Sequence, residues 1–146
     1  SPLRRNGASL ERRLDALLAE TGASLPEKFG AEWFKVYITL ERLEPDWEAC
    51  LAALRDAPHL AVPAALERAG EQLVCYFLYR HLAGALDDGL LAARTAFAVL
   101  STRLVATLWQ YGGTHTAAAF YELARRYSAE IEYSDENVAA LLALLI

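Results

Sequence analysis

The stretch LLAARTAFAVLSTRLVATLW, residues 90–109, decides the fold. Its apolar residues fall on nearly every side of a helix, so no face is reserved for water. A helix that is apolar all round must find contacts in every direction, which makes this segment the central helix of a bundle. Arg94 and Arg103 interrupt the run, and a bilayer would penalise both charges, so it reads as an interior helix and not a membrane span. The ends are punctuated by the turn signal Asp87-Asp88-Gly89 and by Gly112-Gly113.

The neighbouring segments carry helical periodicity of their own. SLERRLDALLAETG (9–22) repeats Leu10, Leu14, Leu17 and Leu18 at helical spacing, with Ser9 as cap and Gly22 as stop. SLPEKFGAEWFKVYITLERL (24–43) opens on Ser24 and Glu27 at capping-box spacing, with Pro26 in the first turn. Its apolar face is Phe29, Trp33, Phe34, Tyr37, Ile38 and Leu40. EPDWEACLAALRDA (44–57) restarts with Pro45 and puts Trp47, Cys50, Leu51 and Leu54 on one side. After the linker PHLAVP (58–63), a helix runs from Ala64 to about Gly84 through Leu66, Leu73, Tyr76, Phe77 and Leu82.

THTAAAFYELARRYSAEI (114–131) follows, burying Phe120, Leu123, Ala124, Tyr127 and Ile131. Ser134 then caps a last helix whose first turn holds Asp135 and Glu136, where negative charge complements the exposed N–H groups. Asn137 stands where a capping box would place Glu or Gln. YITL (37–40) is β-branched but embedded in helix periodicity. The expectation is one all-α domain over residues 1–146, a helical bundle of six or seven helices around a central apolar one.

A net charge of −5 opposes nucleic-acid binding, which draws on cationic side chains. Charge is uneven: Arg4, Arg5, Arg12 and Arg13 load the start, while Glu130, Glu132, Asp135 and Glu136 follow the last basic residue, Arg126. Cys50 and Cys75 have neither zinc-site nor disulfide spacing, which fits a reducing, cytoplasmic setting. The chain has no Met, even at position 1, so it is expected to be part of a longer protein. His59, His81 and His115 lack the spacing that places metal ligands on one helical face, and no serine stands in a G-x-S-x-G context.

Glu71, Arg80, Arg94 and Arg103 fall in otherwise apolar segments, and a buried charge needs a partner or a ligand. Two readings stay open: mutual pairing, for example of Arg80 or Arg94 with Glu130 or Glu132, or a ligand-binding role.

Three segments in order, LERLEPDWEACL (40–51), EQLVCYFLYRHLAGALDDGLLAARTAFAVLSTRLV (71–105) and YSAEIEYSDENVAAL (127–141), resemble the C-terminal helical half of the flagellin lysine-N-methylase family. The run of Glu130, Ile131, Glu132, Ser134, Glu136 and Asn137 is the most specific. The resemblance implies methyl transfer from S-adenosylmethionine to lysines of a flagellin-like substrate. It also implies an iron-sulfur or other metal centre on an N-terminal cysteine cluster, which this sequence does not contain. The remainder of the parent protein would then be a partner. In that chemistry Glu130 and Glu132 are the candidates for orienting the lysine amine and balancing its charge, with Glu71, Tyr76, Arg80 and Asn137 in support. The competing structural reading is a polar network locking the last helices to the central one. The alternative function is a non-catalytic helical interaction or ligand-sensing module.

Overall fold

The computed structural model describes residues 8–146; Arg4 and Arg5 of the basic start lie outside them. In chain order the helices are α1 (Leu10–Glu20), α2 (Gly30–Tyr37), α3 (Trp47–Leu51, tightening into a 3-10 turn over Ala52–Asp56), α4 (Glu67–His81), the single turn α5 (Ala85–Asp88), α6 (Leu91–Tyr111), α7 (Ala117–Tyr127) and α8 (Asp135–Leu145). No strand occurs among the described residues. The all-α bundle expected from the sequence is the architecture observed.

From Ala93 to Trp109 every residue of α6 except Arg94 is buried. Helices α1, α4, α7 and α8 pack around it. By length and composition α6 is apolar enough to cross a membrane, but protein neighbours cover it. Phe97, Leu100 and Leu104 have almost no exposed surface, and full burial of each such side chain contributes about 1.5–3 kcal/mol. Truncating Phe97 to Ala would cost about 3–5 kcal/mol, because the packed surroundings collapse only partly into the hole.

Local signals account for most boundaries. Ser9, Thr116 and Ser134 each accept a backbone N–H at a helix start, which satisfies donors the helix itself leaves orphaned. Gly89 closes α5 at φ +72°, a left-handed conformation that costs glycine little. The turn predicted at Asp87-Asp88-Gly89 is therefore present.

Helix α2 starts later than its sequence suggests. The Ser24/Glu27 box is not used; the helix opens at Gly30, and Glu32 accepts the Phe29 N–H at 2.9 Å. Gly30 sets this start: its N–H donates to the Ala57 carbonyl at 3.0 Å, and a methyl on its Cα would collide with the carbonyl oxygens of Leu54 and Ala57. Only glycine allows that backbone approach. Phe29 consequently flanks the helix and is exposed, not part of the apolar face. The helix also stops at Tyr37, well short of the expected end near Leu43.

Two further boundaries differ. The chain after Pro63 forms a 3-10 turn over Ala64–Leu66 before α4 begins at Glu67. Helix α7 ends at Tyr127 instead of continuing to Ile131, and Ser128–Glu132 makes one wide π turn. The Tyr133 N–H reaches back five residues to the Ser128 carbonyl at 2.9 Å. Single turns of this kind are frequent at functional sites.

Candidate functional site

The π turn carries both acidic candidates, and its entry is anchored by a buried chain of hydroxyls. Tyr127 OH lies 2.8 Å from Ser101 Oγ and 2.9 Å from Tyr37 OH. This ties α7 to α6 and α2. Burial pushes both phenols above their ordinary range, so they remain protonated.

Beyond this anchor Glu130 and Glu132 part company. Residues two apart on a helical turn diverge by about 200° and do not face each other. Glu130 turns to the loop after α2, where its two oxygens accept the Leu43 N–H at 2.8 Å and the Glu44 N–H at 2.9 Å. Asn137 completes that clamp. Its Oδ1 accepts the Glu41 N–H at 2.9 Å, and its Nδ2 donates to the Glu41 and Glu130 carbonyls at 2.9 Å each. Glu130 and Asn137 thus hold the loop between α2 and α3 in place.

Glu132 turns the other way, to the end of α4. Its Oε1 accepts from Tyr76 OH at 2.9 Å, and its Oε2 lies 2.7 Å from His81 Nε2 and 2.9 Å from Arg80 Nε. Burial pushes this carboxyl up, but hydrogen bonds from His81, Ser128 and Tyr76 outweigh it and hold the group below the usual carboxylate range. An ionised carboxylate only accepts, so His81 Nε2 carries the hydrogen. The His81 ring also meets Phe97 edge-on at 4.9 Å, and the Arg80 guanidinium lies over the Tyr133 ring at 5.1 Å. The hub therefore joins α4, α6 and the π turn.

Of the residues singled out in the sequence, Tyr76, Arg80 and Glu132 come together. Glu130 and Asn137 meet on the other side of the turn, and Glu71 pairs with Arg13 of α1 at 3.1 Å. Of the four pairings considered, Arg80 with Glu132 is present. Arg94 goes instead to Asp88, at 2.7 Å from Nη2 and 3.0 Å from Nε, with its Nη1 donating to the His81 carbonyl at 3.2 Å. Gly84 lies under this guanidinium, where a methyl would collide with it. Arg103 pairs with Glu11 at 3.0 Å and Asp15 at 2.9 Å. His81 was not singled out from the sequence, although its place beside Arg80 near the end of an apolar helix is the signal that points to it.

A cavity of about 600 Å³ opens beside the hub. Arg80, His81, Glu132 and Arg94 form one end, and Val138 and Leu142 of α8, with Ile146 just past its end, form the apolar wall. Its volume is in the range of small-molecule sites, which combine apolar walls with a few convergent polar groups. A second cavity, about 580 Å³, lies between α1 and the segments flanking α2, over Leu100 and Arg103.

Among the described residues no three His, Cys, Asp or Glu side chains gather to hold a metal ion. Cys50 and Cys75 stand on different helices, and burial pushes the Cys50 thiol up. An iron-sulfur centre takes a full set of cysteine thiolates, so the residues present do not fit one. No family model, no curated protein and no solved structure matches this chain.

Proposed function

We propose that this chain is a non-catalytic helical binding module, with the groove between the end of α4, the start of α6 and α8 as its ligand site. The observation that carries this reading is the engagement of Glu130 and Glu132. Both are buried, at 3% and 4% exposure, and both oxygens of each already accept hydrogen bonds from inside the fold. A group that orients or deprotonates a lysine amine must come within hydrogen-bond reach of it, and neither carboxylate offers that access. The groove beside Glu132, in contrast, is open and combines apolar wall with fixed charge.

Two measurements on the folded chain test this. A small-fragment screen followed by protein NMR should give shifts grouped on Arg80, Leu90, Val138 and Leu142. Incubation with labelled S-adenosylmethionine and unmodified flagellin should leave the flagellin unlabelled. Methyl transfer that is lost in folded Glu130→Gln or Glu132→Gln would overturn the binding-module reading in favour of the lysine methyltransferase that the family resemblance implies.

A further inference from the structure

We infer that the groove takes an amphipathic carboxylate, its head on the Arg80 guanidinium and its apolar body along α8. This rests on the binding-module reading above and adds the ligand's chemistry to it. The head assignment follows from which donors at the polar end are already used. Arg94 has all three nitrogens engaged within the fold, Nε and Nη2 with Asp88 and Nη1 with the His81 carbonyl, so its guanidinium is oriented inward. His81 Nε2 is spent on Glu132. Arg80 spends Nε on Glu132, and no hydrogen bond among the described residues engages its terminal nitrogens.

Arg80 is also held for the task. Glu132 fixes one edge of the guanidinium and the Tyr133 ring supports its face, while 48% of the side chain stays exposed. A planar, oriented fork with free N–H groups matches two oxygens in one plane, which is the geometry of a carboxylate. The body assignment follows from α8. Val138 and Leu142, one helical turn apart, share a face of α8, and Ile146 just past its end extends the apolar lining. Ala139 and Ala143 beside them line the same cavity and keep it wide.

Charge narrows the choice further. Arg80 with Glu132 and Arg94 with Asp88 cancel in pairs, which leaves Asp135, on the first turn of α8, as an unpaired side-chain charge among the described residues lining this end. It repels any anionic head, and a doubly charged phosphate more than a carboxylate. The repulsion gives the proposal a signed test, because removing Asp135's charge must help the right ligand.

Decanoate, decanol and decylamine, each below its micelle concentration, are titrated into the isotope-labelled chain and followed by NMR. Decanoate should bind about tenfold tighter than either analogue, with shifts on Arg80, Val138 and Leu142. Arg80→Gln should abolish the preference, Arg80→Lys should keep part of it, and Asp135→Asn should tighten decanoate about two- to fivefold. Thermal unfolding checks each variant; if Arg80→Gln does not fold, the exposed Asp135→Asn decides. Equal binding of decanol, a preference for decylamine, or weaker decanoate binding by Asp135→Asn overturns the carboxylate head and leaves the groove as a ligand site. Absence of binding by all three, with no fragment found there either, overturns the groove reading itself.

Discussion

Replacing Glu130 and Glu132 by glutamine removes one charge at two almost equally buried positions, yet the costs should differ. At Glu130 the two oxygens face two backbone N–H groups, those of Leu43 and Glu44. Neither donor can turn into an acceptor, so a glutamine amide must aim its NH2 at one of them. One hydrogen bond to a charged group, worth about 1.5–3 kcal/mol, is lost, and a donor pair is left opposed. Because this loop is near the surface, water relieves part of the penalty, and the net cost should be about 2–3 kcal/mol. At Glu132 the glutamine oxygen can take over His81 and Arg80, while the NH2 meets Tyr76 OH, whose hydroxyl rotates to accept. The loss there is mainly charge assistance, about 1 kcal/mol. At about 2–4 °C per kcal/mol for a chain of this size, Glu130→Gln should lower Tm by about 4–12 °C and Glu132→Gln by about 2–4 °C. Urea unfolding by circular dichroism measures the difference, and hydrogen exchange locates it at the Leu43 and Glu44 amides. Equal stability of the two variants, with both amides still protected in Glu130→Gln, would refute the claim that this carboxylate holds the loop.

Three other outcomes follow from the same geometry. Glu132 is held below its ordinary value, so its ionisation adds stability above the unfolded value of about 4.3 and loses it as pH falls through the folded value. The stability gap between the native chain and Glu132→Gln should therefore close as pH falls from about 5 through the lowered folded value in urea titrations; a gap that stays constant contradicts the assignment. Gly30→Ala drives a methyl into the Leu54 and Ala57 carbonyls and should cost about 3 kcal/mol by thermal unfolding, whereas a neutral outcome would show that α2 can shift its start. Tyr127→Phe strips the middle hydroxyl from the chain joining Tyr37 and Ser101 and should cost about 1–2 kcal/mol, read as a lower urea midpoint with unchanged slope.

The bundle and its core helix were legible because periodicity, caps and stops act within a few residues of where they are written. A helix apolar on nearly every side, such as Ala93–Trp109, must be enclosed, and the charges of Arg94 and Arg103 within it favour enclosure by protein over lipid. Ser134 as cap, Gly89 as turn and Gly112 as stop needed no knowledge of distant chain. The start of α2 was misplaced because two segments share the same spacing, Ser24 with Glu27 and Phe29 with Glu32, and the choice between them is made by the carbonyls of Leu54 and Ala57. Local propensity cannot see that contact.

The same division applies to the acidic run near the end. Its composition shows that Glu130, Glu132 and Asn137 sit at a helix junction, and helical spacing alone sets the two carboxylates on different sides. Which groups they would meet, and so whether any oxygen remained for a substrate, depended on loop 41–44 and the end of α4, which lie 51 to 96 residues away in sequence. Hydrophobic enclosure is non-directional and can be read from residue type; a hydrogen bond is directional and needs its partner in place, so the roles of these side chains were decided only by the packed tertiary structure.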